Sequence, residues 1–188
     1  MSDLAKPLRK KPRVPTEERL TRITLAYLER YATSLANLRR VLTRRVEKAA
    51  RAHERDVAEF LPLVEIVLEK AARSGLVNDE VYAETKAASL RRKGASSRQI
   101  TAKLSARGVS RSVIEATLAG DDTDDLAAAR RYAERRRLGP WRKGWSEDDD
   151  TIRRDRDRKD LAALCRAGHG LDAARKALKG LPDPDGVE

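Results

Sequence analysis

Cysteine occurs once in the 188 residues, at Cys165, which excludes an intrachain disulfide and fits a reducing, cytoplasmic compartment. Aromatic residues make up 4% of the chain, with a single Phe, so any core has to be assembled from Leu, Val, Ile and Ala. No apolar run approaches the ~18 residues that span a bilayer. The basic N-terminus also lacks the apolar stretch of a secretory signal, so no membrane association is expected. His53 and His169 lie far from each other and from Cys165, which rules out zinc-ligand spacing. The run Asp148, Asp149 and Asp150 has no phased partner ligands and reads as a solvated loop or helix start. Phosphate-cradling glycine loops, nucleophile elbows and paired catalytic carboxylates are all missing. The sequence therefore predicts neither an enzyme nor a cofactor.

What is abundant is charge. Asp, Glu, Lys and Arg make up 38% of residues, and the net charge is +11. The surplus is concentrated early: residues 1–56 carry 15 basic and 7 acidic side chains, whereas residues 121–188 carry 16 of each. A surplus of this size points to a polyanionic partner, nucleic acid first among them. For any single cation the alternative is a solvated surface charge.

With ten glycines and seven prolines, the composition favours an all-α protein. Residues 1–16, rich in Pro and Lys/Arg, read as a disordered basic tail. Apolar residues at helical spacing then begin at Leu20, with Thr33-Ser34 as an N-cap before a helix carrying Leu38, Leu42 and Val46. Asp56 with Glu59 reads as a capping box for the next helix, which has Pro62 in its first turn and stops at Gly75. Asn78 or Asp79 opens a helix that ends at Gly94. Ser96 with Gln99 forms a second box, Gly108 stops that helix, and Ser110 and Gly120 bracket another.

This three-helix grammar repeats. A shift of 62 residues lays Ser34, Leu38, Leu42 and Arg45 on Ser96, Ile100, Leu104 and Arg107. A shift of 60 lays Leu104, Gly108, Leu118 and Gly120 on Leu164, Gly168, Leu178 and Gly180. The expectation is an elongated tandem array of three three-helix repeats, at 17–75, 76–120 and 121–181, with a loop inserted in the third and a tail at 182–188.

The stretch LVNDEVYAETKAASLRRKGASSRQITAKLSARGVSRSVIEATLAG resembles the central repeat of the RecX family. Asp79, Tyr82 and Ala83 match its aspartate-capped helix with an alanine after an aromatic, and Leu104 to Val109 match its helix end. LAYLERYATSLANLRRVLTRRV resembles the family's first unit. AARRYAERRRLGPW with DLAALCRAGHGLDAARKAL resembles the third, and Gly168-His169-Gly170 departs from the usual pattern there. The resemblance covers about 20–180. It implies a modulator of the RecA recombinase, active in DNA repair, recombination and the SOS response. Such a protein binds RecA filaments on single-stranded DNA and suppresses ATP hydrolysis and strand exchange. The implied partners are the RecA filament and single- or double-stranded DNA, with the protein itself a monomer.

The candidate contact residues are cations at corresponding places in the three repeats. They are Arg39, Arg40, Arg44 and Arg45 in the first; Arg91, Arg92, Lys93, Arg98, Lys103 and Arg107 in the second; and Arg130, Arg131 and Arg135 in the third. Trp141, Arg142 and Lys143, in a loop with Trp145, suit a partner contact or interhelical packing. Arg91, Arg92 and Lys93 read equally well as complements of a helix C-terminus. Tyr27, Tyr31, Tyr82 and Tyr132 read as core packing rather than base-stacking residues. Cys165 reads as core or edge. The rival readings are a helix-turn-helix DNA-binding protein and an RNA adaptor. The former is weakened by third helices poor in base-reading side chains, and the latter rests on charge alone.

Overall fold

The computed structural model describes residues 11–121, 123–144 and 149–179, and these are all-helical. The tail expected at 1–16 falls largely outside them, as do Trp145 and residues 182–188. The chain divides into two compact units, Met1–Asp79 and Glu80–Glu188.

The first unit holds α1 (Glu17–Leu28), α2 (Leu35–Ala52) and α3 (Leu61–Arg73). Thr16 and Ser34 cap the first two helices, accepting the Arg19 and Asn37 backbone N–H groups. Asp56 caps a separate 3-10 turn, Val57–Glu59, by accepting from Ala58 N at 2.9 Å. Glu59 does not reach back to complete a box with Asp56; it pairs with Arg55. Pro62 sits in the first turn of α3, where its missing N–H costs nothing. α3 packs on both α1 and α2 around Leu20, Leu38, Leu42, Val46, Val64 and Leu68.

The second unit contains α4 (Asp79–Arg91), which starts at the boundary residue, then α5 (Ser97–Ala106) and α6 (Arg111–Ala119). It continues with α7 (Asp125–Arg136), a 3-10 turn at Gly139–Trp141, α8 (Asp150–Arg166) and α9 (Leu171–Leu178). Ser96 and Ser110 cap α5 and α6. One cluster gathers Ala83, Ala87, Leu90, Ile100, Leu104 and Ile114. Another gathers Ala129, Leu164, Ala174, Ala177 and Leu178, where α7, α8 and α9 pack on one another. Both clusters belong to one compact unit. Alanines dominate these contact faces, so the helix backbones approach closely. Of the four tyrosines, Tyr31 departs from the packing expectation, at 57% exposure. Val81 is equally exposed.

One device stops five of the helices. The backbone N–H of Arg55, Ala95, Val109, Leu138 and His169 donates to the carbonyl five residues earlier, on Ala50, Leu90, Leu104, Ala133 and Leu164. The residue just before each donor, Glu54, Gly94, Gly108, Arg137 or Gly168, has φ between +53° and +88°. This is the Schellman closure, in which the donor residue lies against the last turn and usually makes an apolar contact there. Ala95 and Val109 are buried in that position, and Leu138 packs against the third cluster.

Gly94 meets a second constraint besides its φ of +74°. A Cβ there would lie 2.4 Å from Tyr132 N and 2.9 Å from the Ala128 carbonyl oxygen, so α7 crosses directly over the turn. Gly75 has almost the same φ, yet nothing lies within 4 Å of its would-be Cβ. Gly75→Ala should therefore cost about 1 kcal/mol, the left-handed backbone term alone. Gly94→Ala should cost several-fold more, because backbone atoms of α7 have to move. Urea unfolding of the two variants, followed by circular dichroism, measures the difference.

Candidate partner and nucleic-acid interface

Helix α2 presents its cations in register. Arg40, Arg44, Lys48 and Arg51 recur at i, i+4, i+8 and i+11, opposite the buried Leu38, Leu42 and Ala49, and all four are exposed. Arg39 lies off this stripe and pairs with Glu65 at 2.6 Å. Arg45 is exposed on the other flank. The sequence reading gathered Arg40, Arg44 and Arg45 but missed Lys48 and Arg51, which the helical period alone extends to.

In the second unit the expected triplet separates. Arg92 and Lys93 are exposed in the turn after α4, but Arg91 is buried, with 4% exposure. Arg91 therefore does not face a partner, contrary to expectation. Its guanidinium Nε donates to Asp121 Oδ2, and Nη1 donates to the Ala95 carbonyl at 3.1 Å and to Asp125 Oδ1 at 3.2 Å. Nη2 donates to Ser97 Oγ at 2.7 Å, and that hydroxyl donates in turn to Asp125 Oδ1 at 2.9 Å. One side chain thus ties the end of α4 to the start of α5 and to the segment joining α6 and α7. The acidic partners lie 30 and 34 residues away, so no local pattern around Arg91 reveals them.

Burial by itself would raise the Asp121 pKa. The hydrogen bond from Arg91, with those from the Thr123 backbone and side chain, outweighs it and holds the carboxyl below its ordinary value. A depressed carboxylate contributes stability above its unfolded pKa and loses it as pH falls through the folded one.

Arg98, Lys103, Arg107, Arg131, Arg135 and Lys143 are exposed. Lys103 and Arg107 share one face of α5, and Arg131 and Arg135 share one face of α7. Arg135 also lies over the Tyr132 ring, 5.9 Å from its centroid. Arg130 is half-buried. Arg142 is engaged internally, its Nη2 donating to both oxygens of the buried Asp160 at 2.7 Å. Asp160 also accepts the Gly139 N–H at 2.8 Å. This pairing fixes the 3-10 turn against α8 and leaves Trp141 half-buried rather than projecting. Both residues therefore serve packing in this structure.

His169 occupies the donor position of the closure after α8, where Ala95 and Val109 stand at other helix ends. That position explains why it is buried, at 5% exposure, beside Tyr132 with ring centroids 5.4 Å apart. Neither ring nitrogen makes a hydrogen bond. Burial pushes its pKa down, opposed by the Asp125 charge and reinforced by the Arg91 charge. The folded state therefore prefers the neutral imidazole.

Among the described residues no group of three or more His, Cys, Asp or Glu side chains could hold a metal ion. Nor, among them, is any helix long and apolar enough to cross a membrane.

Comparison with known proteins gives these features a context. The family model described as RecX, second three-helix domain, matches residues 78–118. A protein named Regulatory protein RecX from Myxococcus xanthus is 39% identical over 176 residues, which cover 92% of this chain and 91% of the relative. The chain belongs to the RecX family. A second Regulatory protein RecX, from Agrobacterium fabrum, is 34% identical over 102 residues, or 54% of this chain and 51% of its own length. No solved structure matches the chain. In this RecX-family protein the matched domain spans α4 to α6 almost entirely, so it includes Arg91 and the exposed Arg92, Lys93, Lys103 and Arg107.

Two outcomes follow. Arg91→Gln should destabilise the second unit by about 3 kcal/mol at neutral pH, because Asp121, whose side chain is only 14% exposed, is left without its cation. That deficit should shrink as acid protonates Asp121, which chemical denaturation at a series of pH values reads directly. For His169, stability should fall as pH drops below about 6.5, where the unfolded imidazole begins to charge and the folded one resists. His169→Leu should flatten that part of the profile.

Proposed function

We propose that this protein regulates RecA, binding the recombinase filament on single-stranded DNA and inhibiting ATP hydrolysis and strand exchange. The observation that carries this reading is similarity to a Regulatory protein RecX across nearly the whole of both chains. The absence of a recognisable catalytic motif in the sequence agrees with action by binding. The exposed cations Arg40, Arg44, Lys48 and Arg51 on α2, and Arg92, Lys93, Lys103 and Arg107 in the second unit, would meet acidic faces of the filament or the phosphates it carries. On this reading DNA contact is secondary and electrostatic, and the protein works as a monomer in the cytoplasm, in recombination and repair.

The test is single-strand-dependent ATP hydrolysis by the cognate RecA as this protein is added, with filament length followed in parallel. Hydrolysis should fall as the protein is titrated. Arg92→Glu with Lys93→Glu should raise the concentration needed for half-inhibition by roughly tenfold, since like charges set against an acidic face repel. The helical circular-dichroism signal should be unchanged, because both side chains are exposed. Hydrolysis indifferent to the wild-type protein would sink the proposal.

A further inference from the structure

The first unit contains a cluster of cations that no sequence pattern gathers. The segment before α1 folds back onto the end of α2. His53 Nε2 donates to the Pro12 carbonyl at 2.6 Å, and Val14 packs against the core. These contacts fix the segment as one wall of a cleft of about 230 Å³, whose other walls come from α1 and α2. Arg13, Arg19, Arg45 and Lys48 line it, above Leu20 and Ile23, and no carboxylate does.

The four cations share this concavity without a counter-charge. Elsewhere in this unit Arg22, Arg39, Arg55, Lys70 and Arg73 each pair with a glutamate. Arg13, Arg19, Arg45 and Lys48 have no ion-pair partner among the described residues, although they converge on one concavity. Like charges held together repel, and an anion seated between them turns that repulsion into attraction.

The geometry points to a binding site for a phosphodiester of a nucleic-acid backbone. It rests on the reading above only in taking nucleic acid as a ligand, and it does not require the recombinase. The cleft is smaller than the ~300–1,000 Å³ of a typical small-molecule site, so it admits a group rather than a whole cofactor. Guanidinium groups approaching from different elements suit a tetrahedral anion with several acceptor oxygens. The apolar floor suits the edge of a sugar. No aromatic lines the cleft, so bases would not stack there and contact would be indifferent to sequence. A flat acidic protein surface would reach the rim but not fill the concavity.

The experiment titrates the full chain into a fluorescein-labelled oligothymidylate and follows anisotropy across a range of salt concentrations. Two double variants are compared with the wild type. Arg45→Gln with Lys48→Gln empties half the cleft of charge, whereas Arg22→Gln with Arg73→Gln removes the same charge from the same unit elsewhere. Circular dichroism establishes that both are folded.

The cleft variant should bind about tenfold or more weakly near 0.1 M salt, and its salt slope should fall by about 0.7, the value for one lost phosphate contact on a single strand. The control should stay within about twofold, because neither side chain lines the cleft and each is already paired with a glutamate. An abasic oligonucleotide should bind nearly as well as the thymidylate. Equal losses in the two variants would overturn the site and leave only diffuse attraction. Polyglutamate displacing the oligonucleotide as readily as inorganic polyphosphate would overturn it in favour of an acidic protein ligand. Absence of any binding by the wild type would overturn both the site and DNA as a ligand, while leaving inhibition of ATP hydrolysis to be judged separately.

Discussion

The fold depends on where its helices stop. A chain with one Phe and few other aromatics buries few large rings, so each small bundle relies on short helices meeting at the right length. The recurrent closure, with one residue in the left-handed region and the next donating back into the last turn, sets that length. It also turns the following residue inwards. Ala95, Val109, Leu138 and His169 are all placed by this one backbone geometry, and the core of the second unit closes around them.

The same closures bring distant parts of the second unit into contact. Gly94 lets α7 pass against the turn after α4, and the Ser96 hydroxyl, while capping α5, donates to the Ala167 carbonyl at 2.9 Å beside the turn after α8. Arg91 adds the charged tie, reaching Asp121 and Asp125 from the end of α4. Helix ends are where backbone groups lack internal partners, so they are natural places for one bundle to grip another. The second unit uses them in that way.

The helices and their caps were legible in the sequence because they are written locally. Ser34, Ser96 and Ser110 each precede a periodic apolar run, and Gly75, Gly94 and Gly108 each follow one. The full-length family resemblance was legible for the same reason, since its motifs are made of those signals. What failed was the sorting of cations into outward and inward. Arg91, Arg92 and Lys93 are chemically alike and adjacent, and only the carboxylates arriving from 30 and 34 residues away decide that the first is internal. For Arg142 the sequence left partner contact and packing open, because its partner Asp160 lies 18 residues on. Arg13, Arg19, Arg45 and Lys48 were not grouped because their convergence depends on the fold-back of segment 12–15 and on how α1 meets α2.

The alanine faces carry a consequence for how this protein can change. Ala83, Ala87, Ala128, Ala129, Ala133, Ala174 and Ala177 are buried where helices cross at close range, and alanine is already near the smallest side chain available. Such an interior has little volume left to lose, so truncation is a minor hazard at these sites. Enlargement is the serious one, because an added methylene has no cavity to enter and has to push two backbones apart. Variation in the second unit is therefore steered outwards, onto the exposed charged faces. Its interior can drift little in size, while its surface is free to follow a partner.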